Sequence, residues 1–95
     1  MSEVRKVLHV RVVGRVQRVG FRWFVREHAR RGDLAGWVRN NPDGSVELHA
    51  AGDGECIERL RRAVAAGPEG ARVDEIVTLD AADAGELPHP FVMLR

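Results

Sequence analysis

The residues with the most chemistry to offer sit in two short stretches. The first reads Gly14-Arg15-Val16-Gln17-Arg18-Val19-Gly20, followed by Phe21-Arg22. Glycines at both ends let the backbone turn tightly, so that successive N–H groups converge on one point. Such a nest, opening into a helix N-terminus, attracts an anion through unpaired donors and the helix dipole. Arg22 falls in the first helical turn, where a cation is unfavourable for the dipole and a bound anion would reverse the penalty. Its guanidinium is suited to gripping a phosphate through two parallel hydrogen bonds. Taken alone, a Gly-rich loop ending in Arg is a weak signal, and the competing reading is a surface arginine that opens an amphipathic helix. The second stretch is Asn40-Asn41-Pro42-Asp43-Gly44. An asparagine ahead of Pro-Asp-Gly is an ordinary turn opener, and only a place beside the first loop would lift Asn40 above that.

Other reactive types are scattered. His9, His28, His49 and His89 show no ligand spacing, so no metal site and no cofactor are expected. Cys56, the one cysteine, has no internal partner and sits on an apolar stripe, which reads as a buried, inert thiol. Trp23 and Trp37 are expected to pack rather than to stack on bases, and Arg5, Arg11, Arg26, Arg30 and Arg31 to form a solvated basic surface.

The elements that must position these residues follow from periodicity. Residues 4–13 alternate, with Leu8, Val10 and Val12 on one face and Arg5, His9 and Arg11 on the other, and Gly14 ends the strand. Residues 21–31 switch to helical spacing through Phe21, Phe24, Val25 and His28, with Gly32 at the C′ position. Residues 34–40 and 46–50 read as a hairpin around Asn41-Pro42-Asp43-Gly44. Asp53 suits the N-cap of a second helix with the stripe Cys56, Ile57, Leu60 and Val64, stopped by Gly67-Pro68. Residues 72–80 form another strand, with Val73, Val77 and Leu79 on one face, and Phe91 to Leu94 leave room for a short fifth. The order βαββαβ predicts an α+β fold, a ferredoxin-like α/β sandwich: an antiparallel sheet with two helices on one face. In that topology the first two strands run parallel with another between them. Their ends at Gly14 and Asn40 then lie at one end of the sheet, roughly 10 Å apart.

The runs VVGRVQRVGFRWFV (residues 12–25) and AGWVRNNPDGSVEL (residues 35–48) resemble the acylphosphatase family, and the likeness extends through the helix at 53–66 to the C-terminal FVMLR. The resemblance implies metal-independent hydrolysis of the carboxyl–phosphate bond of acylphosphates. It places Arg22 on the family's phosphate-binding arginine and Asn40 on the asparagine that orients the attacking water. The main chain of Arg15, Val16, Gln17, Arg18, Val19 and Gly20 falls on its phosphate cradle, with phosphate or sulfate as the expected anion. The family usually has Gly where this chain has Arg18. We expect an ordinary backbone conformation there, with the extra charge at the pocket mouth; a positive φ would instead carry about 1–2 kcal/mol of strain.

Composition bounds these readings. Ninety-five residues, 44% hydrophobic and 31% charged, suit one globular domain, here read as residues 1–95. No apolar run is long enough to span a membrane, and no signal segment or disulfide framework is visible, which predicts a cytoplasmic monomer. The net charge of +1 hides an asymmetry: residues 1–40 hold ten basic side chains against three acidic, and residues 41–95 hold five against eleven. A basic half also suits a non-enzymatic ferredoxin-like RNA- or anion-binding module. Nucleic acid is disfavoured because residues 46–50 lack an exposed aromatic pair. A third reading, a domain of a carbamoyl-transferring maturation protein, is disfavoured because the chain ends at Arg95.

Overall fold

The computed structural model describes residues 4–80 and 86–95; residues 1–3, the start of the segment read above for a leader, lie outside the described residues. Strand β1 runs Arg5–Arg15, helix α1 Phe21–Arg31, β2 Ala35–Asn40, β3 Val46–Asp53, α2 Gly54–Ala66, β4 Arg72–Thr78 and β5 Val92–Met93. The sheet order is β4-β1-β3-β2-β5. β3 pairs antiparallel with both β1 and β2, so those two run parallel and finish at the same end of the sheet. β5 joins the edge of β2 in parallel, which makes the sheet mixed where a wholly antiparallel one was expected.

Alternation decides which face is covered. Leu8, Val10 and Val12 of β1, Leu48 and Ala50 of β3 and Val38 of β2 are buried against Phe21, Val25 and Ala29 of α1 and Ile57, Leu60 and Val64 of α2. Asp53 caps α2 as its position suggests, accepting from the amides of Glu55 and Cys56. Phe91, fully buried, ties the C-terminal segment into the same core, and Arg30 donates to its carbonyl at 2.8 Å rather than lying free in solvent as expected.

Several boundaries differ from expectation for identifiable reasons. Gly14 does not end β1; the strand passes through it to Arg15, with a bulge against β4 between Val13 and Gly14. A Cβ on Gly14 would lie 2.1 Å from the Arg72 carbonyl oxygen, so the close crossing of the two strands explains the glycine. The bulge resets the face of β4. Val73 and Ile76 pack on the core, while Val77 pairs with Arg11 on the other side. Strict alternation had put Val73 and Val77 together. Gly32 has φ −91°, and the left-handed residue after α1 is Asp33, with φ 56°. Gly32 answers a packing demand instead, since a Cβ there would meet Cys56 Cβ at 2.9 Å. Cys56 is accordingly half-buried between the helices, not fully enclosed.

On the face away from the helices, Glu47 is the hub. Its Oε2 accepts from His9 Nε2 at 2.7 Å, and its Oε1 accepts from Arg39 Nη2 at 3.1 Å and Asn41 Nδ2 at 3.2 Å. His9 and His49 stack with centroids 4.2 Å apart, and Trp37 meets both edge-on at 5.9 Å. Burial pushes the Glu47 carboxyl up, but the hydrogen bonds from His9, Asn41 and Arg39 together outweigh it and hold the group below its ordinary value of 4.5. A carboxyl lowered by folding stabilises the fold above its unfolded pKa and loses that contribution as pH falls through the folded one. The urea midpoint is therefore expected to drop below about pH 4.5, and less steeply in Glu47→Gln than in the wild type. Unfolding curves between about pH 3 and 6 measure the difference.

Candidate active site

The parallel pair β1 and β2 delivers two loops to one end of the sheet: residues 16–20, leading into α1, and residues 41–45, leading into β3. Between the first loop and β2 lies a pocket of about 200 Å³. Arg18, Gly20 and Arg22 line it from the loop and α1, Asn40 from the end of β2 and Met93 from β5, with Val16, Phe21 and Trp23 completing the wall. Arg22 and Asn40, nearly twenty residues apart in the chain, thus share one cavity. Two guanidinium groups and no carboxylate are found among its lining residues. A larger, open hollow of about 410 Å³ lies at the start of α2, where Lys6 pairs with Glu58 at 3.5 Å, beside the opening residues of β1 rather than the end that carries both loops.

The loop is held from both sides. Val16 and Phe21, each 1% exposed, plug it into the core. Gln17 turns its side chain to the hairpin, where Nε2 donates to the carbonyls of Asn41 at 2.8 Å and Ser45 at 2.9 Å. The hairpin is itself cross-tied. Asn41 N–H donates to the Ser45 carbonyl, and Asp43 Oδ1 accepts from the Ser45 amide and hydroxyl. Gly20 enters α1 in the left-handed region, with φ 78°, and leaves the helix start without a side-chain cap or an acidic first-turn residue. Those first-turn donors are therefore available to a ligand anion. Arg22 Nη1 donates to the Leu94 carbonyl at 2.6 Å, so the C-terminal segment fixes the direction of its guanidinium.

The residues marked by the sequence are placed unevenly. Val16, Arg18, Gly20, Arg22 and Asn40 come together around the pocket. Arg15 does not, because it is the last residue of β1 and pairs with Arg72. Gln17 and Val19 lie outside the lining; Val19 packs on the core. Arg18 has φ 67°, left-handed rather than the ordinary conformation expected for it. The tight path of the loop imposes that geometry on a residue with a Cβ. Trp23 does not pack as expected: it is 56% exposed at the pocket rim. Met93 and the Leu94 carbonyl were not foreseen at all. For Trp23 the signal was present, since it falls off the apolar stripe of α1. For the C-terminal residues nothing short of the sheet order could supply it. Among the described residues, no three His, Cys, Asp or Glu side chains gather as a metal site, and no helix is long and apolar enough to cross a membrane.

A two-layer ferredoxin-like α+β fold with a cationic pocket where the first and second strands end defines a class of small anion-binding domains. Comparison with known proteins narrows the class. A family model for acylphosphatase matches residues 8–93. An acylphosphatase of Salinibacter ruber is 52% identical over 90 residues, spanning 95% of this chain and 94% of its own. One of Nitratidesulfovibrio vulgaris is 51% identical over 81 residues, covering 84% and 81%. The crystal structure of acylphosphatase from Bacillus subtilis superposes with a TM-score of 0.85 at 34% identity, covering 97% of this chain and all of that one. The chain belongs to the acylphosphatase family, and its activity is the hydrolysis of acylphosphates to carboxylate and phosphate.

The left-handed Arg18 generates a test. Arg18→Gly relieves roughly 1–2 kcal/mol of backbone strain and gives back about 0.4–1 kcal/mol through a freer unfolded chain. It is expected to raise stability by about 0.5–1 kcal/mol in urea unfolding. Inhibition by inorganic phosphate should weaken at the same time, because one of the two cations lining the pocket is gone.

Proposed function

We propose that Arg22 and the main-chain amides of the loop from Val16 to Gly20 hold the phosphoryl group, while Asn40 orients the water that attacks it. The single observation behind this reading is that Arg22 and Asn40 line the same small pocket at the uncapped start of α1. The water attacks phosphorus opposite the acyl oxygen, the P–O bond to that oxygen breaks, and the acyl group leaves as a carboxylate. The proton lost by the water ends on the released phosphate. A carboxylate leaving group has a pKa of about 4–5, so it departs without a general acid. What the reaction needs is position and charge stabilisation. Arg22 supplies charge with its direction set by the Leu94 carbonyl. The Asn40 carboxamide accepts from the water through its oxygen and donates to phosphate through its nitrogen.

On this reading no metal takes part, the resting pocket binds phosphate or sulfate, and residues 1–95 act as one domain. We also infer a cytoplasmic monomer. The core closes on side chains of one chain, and its single cysteine is a free thiol. Nucleic acid is not the partner we infer, because the one indole of the open face, Trp37, is only partly exposed and packs edge-on against His9 and His49.

Arg22→Ala is expected to lower kcat/KM for an aryl acylphosphate by about 10³ or more with the fold retained by circular dichroism. Asn40→Ala should lower kcat by about 10²-fold with little change in phosphate inhibition; full kcat would remove Asn40 from the mechanism. No side chain gives up or takes a proton in this mechanism, so kcat should stay nearly flat from about pH 5 to 8 and be indifferent to chelator. A midpoint near the usual histidine pKa would point to a histidine mechanism.

A further inference from the structure

A phosphoryl group accounts for only part of the pocket. Five heavy atoms need roughly the room of three waters, on the order of 90 Å³, against a cavity of about 200 Å³. Beyond the guanidinium groups and Asn40, the side chains that line it are apolar: Val16, Phe21, Trp23 and Met93. Among the described residues the exposed large hydrophobic side chains are Val4, Trp23, Met93 and Leu94, and two of them, Trp23 at 56% and Met93 at 38%, line this pocket. The next residue along, Leu94, is the one whose carbonyl orients Arg22. An indole and a thioether left in water beside a cationic anion site are costly unless a ligand covers them, and both are adaptable surfaces for a flat apolar group.

We propose that Trp23 and Met93 form the subsite for the acyl group of the substrate and give this enzyme a preference for acylphosphates with a flat, apolar acyl group, such as an aroyl, over short ones. This rests on the reading of the Arg22–Asn40 pocket as the hydrolytic site. The two parts of the pocket divide the substrate along its own chemistry. The guanidinium of Arg22 and the helix start take the dianionic end, and the rim takes the uncharged end, so recognition of the acyl group adds to affinity without touching the reacting phosphorus. Trp23 and Arg22 are adjacent on the first turn of α1, and Met93 sits on β5 one residue before Leu94. The same backbone anchors therefore position both halves.

The test is a specificity ratio: kcat/KM for benzoyl phosphate divided by kcat/KM for acetyl phosphate, with inorganic phosphate inhibition followed in parallel. The wild type is expected to favour benzoyl phosphate. The Trp23→Ala/Met93→Ala double variant should lower the ratio about tenfold, chiefly through KM for benzoyl phosphate, and Trp23→Phe should restore most of it. A purely structural role would lower both substrates together and leave the ratio unmoved, which overturns the proposal. So does a ratio that stays within about twofold of wild type in the double variant. If Arg22→Ala abolishes turnover while the ratio is indifferent to the rim, the apolar subsite alone is refuted. If the wild type hydrolyses neither compound, the hydrolytic reading falls and this proposal with it.

Discussion

One side-chain amide joins the two halves of this site. Gln17 donates from a single nitrogen to the carbonyls of Asn41 and Ser45, and so fastens the loop that carries the anion-binding backbone to the hairpin that follows Asn40. Without such a tie the two loops would be independent surface connections, each free to sample many conformations at little cost. With it, and with Val16 and Phe21 sunk in the core, the loop is over-determined. That is the condition under which an unfavourable backbone conformation survives, and Arg18 at φ 67° is the place where it does. Rigidity here has a catalytic use. Donors that are already aligned need no reorganisation when charge shifts on the phosphoryl group.

The hairpin is stiff because it is connected in turn to the open face of the sheet. Asn41, which receives one bond from Gln17, donates its own amide to Glu47, and Glu47 accepts from His9 on β1 and Arg39 on β2. A continuous set of hydrogen bonds thus runs from the pocket loop across three strands. The residues next to the site are held by a network on the face away from the helices, while the apolar core holds the loop from the other side.

Much of this was legible in the residues. The changes of period and the turn residues marked the first four strands and both helices, and the parallel relation of β1 and β2 followed from the order of elements alone. Hence the order of elements alone brings Arg22 and Asn40 to the same end of the sheet. What escaped were features set by contacts between distant segments. The bulge at Val13–Gly14 depends on how closely β4 crosses β1, and it moves Ile76 inward where alternation had chosen Val77. Gly32 looked like a helix stop but is small because Cys56 presses on it. Arg18 was read from its local preference, and tertiary closure of the loop overrode that preference. The contribution of Met93 and Leu94 depends on β5 docking beside β2, a pairing between segments some fifty residues apart for which no local pattern exists.

The outer strands of the sheet carry a consequence of their own. Exposed strand edges invite other chains to add on, and long, flat, apolar edges are where aggregation starts. Here one border is β5, only two residues long. The other is β4, which carries Arg72, Asp74 and Glu75 outward and is bent by the bulge opposite Gly14. Neither border offers a straight template of unpaired amides, so a sheet with so little chain around it is guarded against stacking into fibrils by brevity on one side and by charge and curvature on the other.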